Sequence, residues 1–462
     1  MSTIPTPYRT INPATGELLE EFPTLTDAGI EDALAIATAA QKEWAVRPVN
    51  ERTRIVAAVG ALFAKNAERL GAIATTEMGK SLADAIGEVE FCRDIFGYYA
   101  TEGAALLADQ EVAVPGAKAF IQRLPIGAVL GVMPWNFPYY QVARFAAPNL
   151  VAGNAVILKH SESCPRAAMA IAELMCEAGV PEGVYVNVFA THDQVAQIIA
   201  DPRVQGVSLT GSERAGAEVA AVAGRNLKKV VLELGGSDPY IVLDTEDVRA
   251  SAKAAWRTRL YNAGQACNSN KRMIVMSDIY DEFVAAIVEE AQGLEPGDPT
   301  DLTDGTFPPM TSRAGAEQLV NQIQDAVAKG ATLHVGGTIV DRPGAYFRPA
   351  VLTGVTAAMR AYHEELFGPV AVVYRVSSDE EAILLANDTQ YGLGGAVFSG
   401  DPSRATEVAD ALEVGMTNVN TAAGEGASLP FGGVKRSGFG RELGPLGVDE
   451  FINKRLHYIQ GD

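Results

Sequence analysis

Apolar residues recur every three or four positions along the first part of the chain. The segments DAGIEDALAIATAAQKEW (27–44) and RTRIVAAVGALFAKNAERLGAIATTEM (52–78) both follow this spacing, which places apolar side chains along one face of a helix. The pattern predicts a helical opening section from about residue 27 to residue 107.

Beyond residue 128 the pattern changes to short runs rich in β-branched residues, separated by amphipathic stretches. The runs are AVLGVM (128–133), AVILK (155–159), VYVNVF (184–189), VAQIIA (195–200) and GVSLT (206–210). Helical spacing is present in CPRAAMAIAELMCEAGV (164–180) and again from about Glu213. Because strands that alternate with helices form right-handed βαβ units, the pattern predicts a parallel sheet.

A second region of the same kind begins near Gly235. Its apolar runs are PYIVLD (239–244), KRMIVM (271–276), PVAVVYRV (369–376) and AVFSG (396–400), with helical stretches through Trp256 and over DEFVAAIVEEAQGL (281–294). The Pro- and Gly-rich segment 295–310 is expected to be a surface connection. Two successive α/β regions predict two lobes with a cleft between them.

The length and composition of the chain restrict its domain number, its partners and its location. A chain of 462 residues is longer than one hydrophobic core usually supports, so two or three domains are expected. The formal charge of −20 argues against nucleic acid as a partner, which needs a basic surface. Cys92, Cys164, Cys176 and Cys267 have no CxxC spacing or neighbouring histidines. They predict neither a metal site nor disulfides, and a reducing cytoplasm is the expected location.

Two further segments bear on membranes and export. The N-terminal segment 1–22 has no basic stretch followed by an apolar one, so no secretory signal is predicted. The longest uncharged stretch, 124–143, contains three prolines and several polar residues. It is expected to be a buried strand that leads into a loop, and no membrane span is predicted.

Cys267 lies in the polar, glycine-containing segment YNAGQACNSNKR (261–272), between a predicted helix and a predicted strand. A thiolate forms most readily where backbone N–H groups or nearby cations lower the thiol pKa, which makes Cys267 a candidate nucleophile. A buried structural thiol is the alternative, since free cysteine is among the most buried residue types.

Glu233 ends an apolar run and is followed closely by Gly235 and Gly236. Burial of a carboxylate at a strand end raises its pKa, as a general base requires, and the two glycines allow another segment of backbone to approach. The alternative is a strand-end glutamate that points into solvent.

Asn136 lies between Pro134 and Pro138 in a restricted turn after the run AVLGVM. Rigid placement suits an amide that donates to a developing oxyanion. The alternative is a turn in which Pro, Trp and Asn have a purely structural role.

Together these segments resemble the aldehyde dehydrogenase superfamily over essentially the whole chain. The matching motifs are PWNFP (134–138), LKHSE (158–162), LTGS (209–212), ELGG (233–236), GQAC (264–267), EELFGPV (364–370) and PFGGVKRSG (430–438). Within the superfamily the likeness is greatest to shorter bacterial succinate-semialdehyde dehydrogenases, as in QVARFAAPNL (141–150). The resemblance implies an α/β fold with a Rossmann-type cofactor domain, an α/β catalytic domain and a small β oligomerisation arm.

The same resemblance implies a division of the chain. The dinucleotide-binding domain is expected at 1–111 and 127–233, the catalytic domain at 234–440, and the arm at 112–126 and 441–462. Family members assemble through such an arm, so a homodimer or homotetramer is expected.

The resemblance also implies the reaction. Cys267 would attack the aldehyde carbon, and the Asn136 amide and the Cys267 backbone N–H would hold the oxyanion of the thiohemiacetal. Hydride would pass to the nicotinamide, and water activated by Glu233 would hydrolyse the thioester to the acid. Glu442 matches a residue that the family uses in proton relay, with an exposed ion pair to a nearby arginine as the alternative.

A nicotinamide dinucleotide site follows from the same likeness. The cofactor-binding positions, in chain order, are Trp135, Lys159, Glu162, Gly211, Ser212, Glu365 and Phe367. Lys159 and Glu162 match adenosine-ribose contacts, and Ser212 matches a phosphate contact at a helix N-terminus. Glu365 and Phe367 match contacts on the nicotinamide side. Because a carboxylate accepts from a ribose 2′-hydroxyl and repels a 2′-phosphate, Glu162 predicts NAD in preference to NADP, which Lys159 could still admit.

Arg144 follows Asn136 by eight positions, where succinate-semialdehyde enzymes carry an arginine for the substrate carboxylate. Succinate semialdehyde is therefore the expected substrate, with a surface ion pair as the alternative role of Arg144. Tyr261 stands where some of these enzymes have a second arginine, and Gly424, Glu425 and Gly426 replace the small hydroxyl-bearing residues that are usual before PFGG. If Glu425 points into the pocket, it would repel an acidic aldehyde or favour an amino aldehyde, and if it points outward it has little effect on the substrate. Glutarate semialdehyde, amino or neutral aldehydes, and a cofactor-independent thioesterase activity remain the alternatives.

Overall fold

Helices form where the apolar spacing and the local caps agree. The computed structural model describes residues 8–424 and 426–460. The helices are α1 (Asp27–Ala45), α2 (Val49–Lys65), α3 (Ala67–Met78), α4 (Leu82–Leu106), α5 (Tyr140–Ala152), α6 (Pro165–Glu177), α7 (His192–Ala200), α8 (Glu213–Arg225), α9 (Val248–Leu260), α10 (Tyr280–Gln292), α11 (Arg313–Ala328), α12 (Arg360–His363), α13 (Asp379–Asn387), α14 (Pro402–Asp410) and α15 (Gly444–Asp449).

The strands are short, in keeping with the short apolar runs of the sequence. They are β1 (Tyr8–Ile11), β2 (Leu18–Phe22), β3 (Gln110–Val112), β4 (Ala117–Pro125), β5 (Ala128–Val132), β6 (Ala155–Lys159), β7 (Tyr185–Asn187), β8 (Val204–Thr210), β9 (Lys229–Glu233), β10 (Pro239–Val242), β11 (Arg272–Met276), β12 (Glu295–Pro296), β13 (Thr306–Phe307), β14 (Thr332–Val335), β15 (Ala350–Thr353), β16 (Val370–Val376), β17 (Tyr391–Gly392), β18 (Gly394–Phe398), β19 (Met416–Val419), β20 (Val434–Lys435), β21 (Gly438–Phe439) and β22 (Ile452–Gln460).

The opening section is helical, as the spacing predicts, because α1 to α4 follow one another from residue 27 to residue 106. Side-chain oxygens of Thr26 and Ser81 accept hydrogen bonds from the first turns of α1 and α4 and cap them. Val59 of α2 and Phe96 of α4 are fully buried in one apolar cluster with the first large sheet. Helices α2, α3 and α4 therefore cover one face of that sheet.

The first large sheet has the strand order β21-β9-β8-β5-β6-β7. Its strands β9, β8, β5, β6 and β7 are parallel, and β21 joins the edge in the antiparallel direction. A second apolar cluster, which includes Leu34, Ile198 and Val219, packs α1, α7 and α8 on the face opposite α4. The parallel sheet predicted from the alternating pattern is confirmed.

The second large sheet has the strand order β14-β15-β16-β11-β10-β18-β19. The strands β15, β16, β11, β10, β18 and β19 are all parallel to one another. Only the pairing of β14 with β15 is antiparallel. Separate apolar clusters lie on its two faces. The chain passes from the first sheet to the second between Glu233 and Pro239, so the ELGG motif lies at the junction.

A three-stranded antiparallel sheet, β22-β4-β3, stands apart from the two large sheets. Strand β22 is at its edge, and the side chains of Leu456, Tyr458 and Ile459 are exposed. The expected arm segments 112–126 and 441–462 contribute β4 and β22. The assignment of cofactor binding, catalysis and assembly to the three expected domains stays a prediction.

Two expectations about individual segments have clear outcomes. The run VAQIIA, counted among the short β-branched runs, lies in α7, where Thr191 and Gln194 form a reciprocal cap at the helix start. The uncharged stretch 124–143 forms β5, a turn and the start of α5. Among the described residues, no helix is both long enough and apolar enough to cross a membrane.

Candidate active site

The turn after β5 holds Asn136 rigidly against the loop that carries Cys267. Asn136 Nδ2 donates to the carbonyl oxygen of Gln265 at 3.0 Å, and its Oδ1 accepts from Gln141 Nε2 at 2.9 Å. The backbone oxygen of Asn136 accepts from Asn262 Nδ2 at 2.8 Å. The side-chain amide is therefore oriented from both ends, and one Nδ2 hydrogen is left for another acceptor.

Cys267 follows the turn Tyr261–Gly264 and precedes β11. Asn262 and Ala263 both have φ near 52°, a conformation that residues other than glycine rarely adopt. Burial raises the pKa of the Cys267 thiol to about 11, and Arg144 and Lys271 act in the opposite direction. In the chain alone the thiol is therefore mostly protonated at neutral pH, and two cations favour its ionised form.

The glycines near the thiol are required by close packing. A Cβ at Gly235 would lie 2.5 Å from Oε2 of Glu365, and one at Gly236 would lie 2.5 Å from the carbonyl oxygen of Cys267. Gly264 has a φ of +72°, and its Cβ would meet the backbone of Gly368. The ELGG and GQAC motifs thus allow three backbone segments to meet around one thiol.

Glu233 ends β9 with its side chain buried, at 2% exposure, so the solvent-facing alternative is wrong. Burial raises the pKa of the Glu233 carboxyl well above its usual range, although Arg144 acts against this. Within the described part of the chain, Glu233 Oε1 has no hydrogen-bond partner. A buried, unsatisfied carboxyl of raised pKa has the properties expected of a general base.

Arg144 lies on α5 with its guanidinium between the rings of Tyr140 and Phe431, at 4.9 Å and 4.6 Å from their centres. It forms a buried ion pair with Glu442, which also accepts from Ser208 Oγ at 3.0 Å. The surface ion pair considered for Arg144 and the exposed pairing considered for Glu442 are therefore both wrong. The structure instead buries the two charges together.

A cavity of about 970 Å³ opens beside these residues, with Cys267, Arg144 and Tyr261 in its wall. The Tyr261 ring lies 5.9 Å from the Phe137 ring and is half exposed. Glu425 lies outside the described residues, although Gly424 and Gly426 on either side of it line the cavity. The thiol and a buried guanidinium therefore share one pocket.

The cofactor-side residues lie at the carboxyl ends of β6 and β8, the two parallel strands that flank β5. Lys159 ends β6, Gly211 follows β8, and Ser212 caps α8 by accepting from the backbone of Ala215. Lys159 is 4% exposed and forms an ion pair with Glu162. A buried lysine and a capped helix N-terminus are donors of the kind that fit a dinucleotide phosphate.

The predicted nicotinamide-side residues lie close to one another. The rings of Trp135 and Phe367 meet edge to face with centres 5.7 Å apart. Glu365 Oε1 accepts from the backbone N–H of Gly236 at 3.1 Å. The structure therefore brings EELFGPV into contact with both PWNFP and ELGG.

Two buried residues of this region were missed by the sequence reasoning. Lys271 donates to the carbonyl oxygens of Ala266 and Cys267, and Gln141 orients Asn136. The sequence places Lys271 at the start of an apolar strand and Gln141 in the uncharged stretch 124–143, which is expected to be a buried strand that leads into a loop. Their nearness in sequence to Cys267 and Asn136 is the signal that could have identified them.

Comparisons with known proteins agree with this geometry. The aldehyde dehydrogenase family model matches residues 2–456. A succinate-semialdehyde dehydrogenase [NADP(+)] of Deinococcus radiodurans is 52% identical over 97% of this chain and 94% of that protein. The corresponding protein of Mycobacterium avium is 42% identical over 98% of this chain and 97% of that protein. The crystal structure of succinic semialdehyde dehydrogenase from Streptococcus pyogenes with NADP+ matches with a TM-score of 0.95 and 42% identity, covering 98% of this chain and 100% of that chain.

These matches confirm the resemblance and the α/β fold, but they contradict the expected preference for NAD. The two similar proteins above are named for NADP(+), and the similar structure contains NADP+. The expectation treated Glu162 as a free negative charge. In the structure, burial works against ionisation of Glu162, but the Lys159 ammonium beside it holds the pKa of that carboxyl below its usual value. Its charge is thus balanced inside the protein, and it is not a sufficient reason to exclude a 2′-phosphate.

Proposed function

Because the chain belongs to the aldehyde dehydrogenase family, whose members oxidise aldehydes, we propose that it oxidises succinate semialdehyde to succinate with NADP. Relatives of 52% and 42% identity that bear this name support the proposal. The single observation that carries it is Arg144, a buried cation in the wall of the cavity that contains Cys267. The reaction consumes one aldehyde, one NADP+ and one water, and releases the acid, NADPH and a proton.

In the first step the Cys267 thiol releases its proton to solvent, and the thiolate attacks the aldehyde carbon. The C–S bond forms as the carbonyl electrons move to oxygen, and the oxyanion accepts the second Nδ2 hydrogen of Asn136. The orientation of that amide is set in advance by Gln265 and Gln141. Donors fixed in place before the reaction stabilise developing charge without reorganisation.

Lys159, Ser212 and the α8 N-terminus would hold the phosphate groups of NADP, and Glu365 and Phe367 its nicotinamide end. When bound there, NADP would supply the hydride acceptor for the carbon attached to sulfur. Trp135 packs against Phe367 and supports that end of the site. The chain keeps the sulfur-bound carbon in place, and a thioester on Cys267 results.

Glu233 then removes a proton from the water that attacks the thioester. The raised pKa of Glu233 makes its carboxylate a strong enough base near neutral pH, and Arg144 stabilises its ionised form. The C–S bond breaks and the acid leaves, and Glu233 passes its proton to the sulfur, which restores the thiol of Cys267. Glu442, which forms a buried ion pair with Arg144, balances the guanidinium charge throughout these steps.

Arg144 has donors available for a substrate carboxylate. Its Nη2 donates to Thr210 Oγ1 at 3.2 Å, its Nε faces Glu442, and its Nη1 lies 3.5 Å from the Tyr140 hydroxyl. A guanidinium has five N–H donors, so these contacts leave hydrogens for a carboxylate oxygen. The cavity volume of about 970 Å³ keeps a larger acidic aldehyde, such as glutarate semialdehyde, as the second candidate.

The test is a panel of succinate semialdehyde, glutarate semialdehyde, 4-aminobutanal and a neutral aliphatic aldehyde, each with NADP, followed by NADPH absorbance. Arg144→Met should lower kcat/KM for the acidic aldehydes about 10- to 150-fold more than for the neutral one, as expected for loss of a charged hydrogen bond. Cys267→Ala should abolish turnover. Arg257→Met, which removes an exposed arginine from the same cavity wall, is the matched control.

Comparing aldehydes within one variant separates substrate recognition from general damage, because any lesion from unpairing Glu442 affects all aldehydes alike. An equal loss for acidic and neutral aldehydes would remove Arg144 from carboxylate binding. Preference for 4-aminobutanal or the neutral aldehyde would refute succinate semialdehyde as the substrate.

We further propose a homodimer or homotetramer that forms through the exposed edge strand β22. An edge strand with exposed Leu456 and Tyr458 is a surface that pairs readily with another chain. Light scattering coupled to gel filtration gives the number of copies, and a monomer would refute the proposal. A reducing cytoplasm is the proposed location, since Cys267 acts only while reduced.

A further inference from the structure

Lys271 is a buried cation that contacts the backbone of the loop carrying Cys267. None of the proposed steps uses it. Its side chain is 1% exposed. Its Nζ donates to the carbonyl oxygen of Ala266 at 2.8 Å and to that of Cys267 at 2.7 Å. It also lies 3.0 Å from Oε1 of Glu365. An ammonium has three N–H donors, so these contacts satisfy all of them.

Glu365 is also held by a hydrogen bond from the backbone. The same Oε1 accepts from the backbone N–H of Gly236 at 3.1 Å. Gly236 in turn lies against the carbonyl oxygen of Cys267, since a Cβ there would be 2.5 Å from it. Cys267, Lys271, Glu365 and Gly236 therefore form a closed ring of contacts that links the nucleophile to the cofactor side of the pocket.

We propose that Lys271 is a positioning residue that ties the loop of Cys267 to Glu365 and keeps a buried cation beside the nucleophile. Through this ion pair, a change at Glu365 is transmitted to the reactivity of the thiol. The inference rests on the proposed function, in which Cys267 is the nucleophile and Glu365 contacts the cofactor.

The charges that face the thiol come from several elements. Arg144 on α5 and Lys271 before β11 favour the ionised form, whereas Glu365 and Glu233 disfavour it. Burial is the largest influence and raises the thiol pKa. Loss of the Lys271 charge should therefore make Cys267 less reactive, and loss of the Glu365 charge should make it more reactive.

The experiment measures the rate at which iodoacetamide alkylates Cys267 over a range of pH, in the absence of aldehyde and cofactor. All variants carry Cys176→Ser, because Cys176 is an exposed free cysteine that would also react. Peptide mass spectrometry follows Cys267 alone. Below the thiol pKa the rate is proportional to the thiolate fraction, so a shift of one pKa unit changes it tenfold.

Lys271→Met, which keeps the length of the side chain, should slow alkylation about tenfold or more at a fixed neutral pH. Glu365→Gln should speed it several-fold. Lys253→Met removes an exposed lysine on α9 and the same unit of charge, and should leave the rate unchanged. Opposite signs for the two partners of one ion pair distinguish a charge effect from structural damage, which would change both rates in the same direction.

An unchanged or faster rate in Lys271→Met, or an unchanged or slower rate in Glu365→Gln, would overturn the proposal. If circular dichroism shows that Lys271→Met is unfolded, the alkylation rate of Glu365→Gln alone tests the proposal: a faster rate supports it, and an unchanged or slower rate overturns it. Because the assay contains neither aldehyde nor NADP, a wrong substrate assignment leaves its outcome unaffected. Conversely, the chain could oxidise succinate semialdehyde and still fail this test.

Discussion

Asn136→Ala should lower kcat/KM for the aldehyde about 10²- to 10³-fold, the effect of removing one oxyanion donor in another enzyme. That loss corresponds to about 2.7–4 kcal/mol of transition-state stabilisation. The structure supports the larger end of this range, because the amide is fixed by Gln265 and Gln141 and would not need to reorient. We use kcat/KM because it reports the steps through hydride transfer, which include formation of the oxyanion.

The same substitution also removes contacts that stabilise the fold. Gln141 Nε2 loses its acceptor, whereas the Gln265 carbonyl keeps Asn262 Nδ2 at 3.3 Å. One buried group left without a partner costs about 1–3 kcal/mol, so unfolding by denaturant should shift as well. The kinetic and stability effects must therefore be separated.

Two variants separate them. Asn136→Asp fills the same space but has no N–H to donate, so it should be at least as slow as Asn136→Ala. Gln141→Leu keeps the donor and loses only the contact that orients it, which predicts a drop of about 2- to 12-fold. If Asn136→Ala retains kcat/KM within about threefold of the parent, or if Asn136→Asp is as active as the parent, Asn136 is not the oxyanion donor.

Three further predictions concern charge. Glu162→Gln leaves Lys159 free for a 2′-phosphate, so the KM for NADP should fall about 2- to 5-fold, and a rise would contradict the charge balance inferred for this pair. Glu233→Gln should still give a stoichiometric burst of NADPH but turn over about 10²- to 10⁴-fold more slowly; a normal steady state would argue against Glu233 as the base. Burial raises the pKa of the Glu77 carboxyl to about 7 in the folded chain, above its value in the unfolded chain. The contribution of this carboxyl to folding stability is therefore complete below about pH 4.5 and is lost as the pH rises through 7. Denaturant midpoints across this range should fall with pH less steeply in Glu77→Gln than in the parent, and equal slopes would refute the burial effect.

Much of the fold could be predicted from the chain alone because its causes are local. The three- and four-residue spacing of apolar positions in 27–107 requires a helix to bury one face, and α1 to α4 are the result. Short β-branched runs between helices predict parallel strands, and both large sheets are mostly parallel. The run VAQIIA shows the limit of this reasoning, because the cap formed by Thr191 and Gln194 directs those residues into a helix.

The candidate nucleophile, base and oxyanion donor were also recognisable, since each lies in a short motif whose neighbours constrain the backbone. Two prolines hold the Asn136 turn, and glycines allow the segments of Glu233 and Cys267 to meet. Motifs of this kind carry both the reactive group and the residues that position it.

The balance of charge was decided by tertiary structure. Glu162 suggested NAD when considered as an isolated carboxylate, but its pairing with Lys159 neutralises it. Arg144 and Glu442 lie far apart in sequence and are buried together, and the buried Lys271 pairs with the partly exposed Glu365. The energy of a buried charge depends on which opposite charge lies within a few ångströms of it. A linear sequence identifies the charged residues of this pocket, and only the folded chain determines which of them are neighbours.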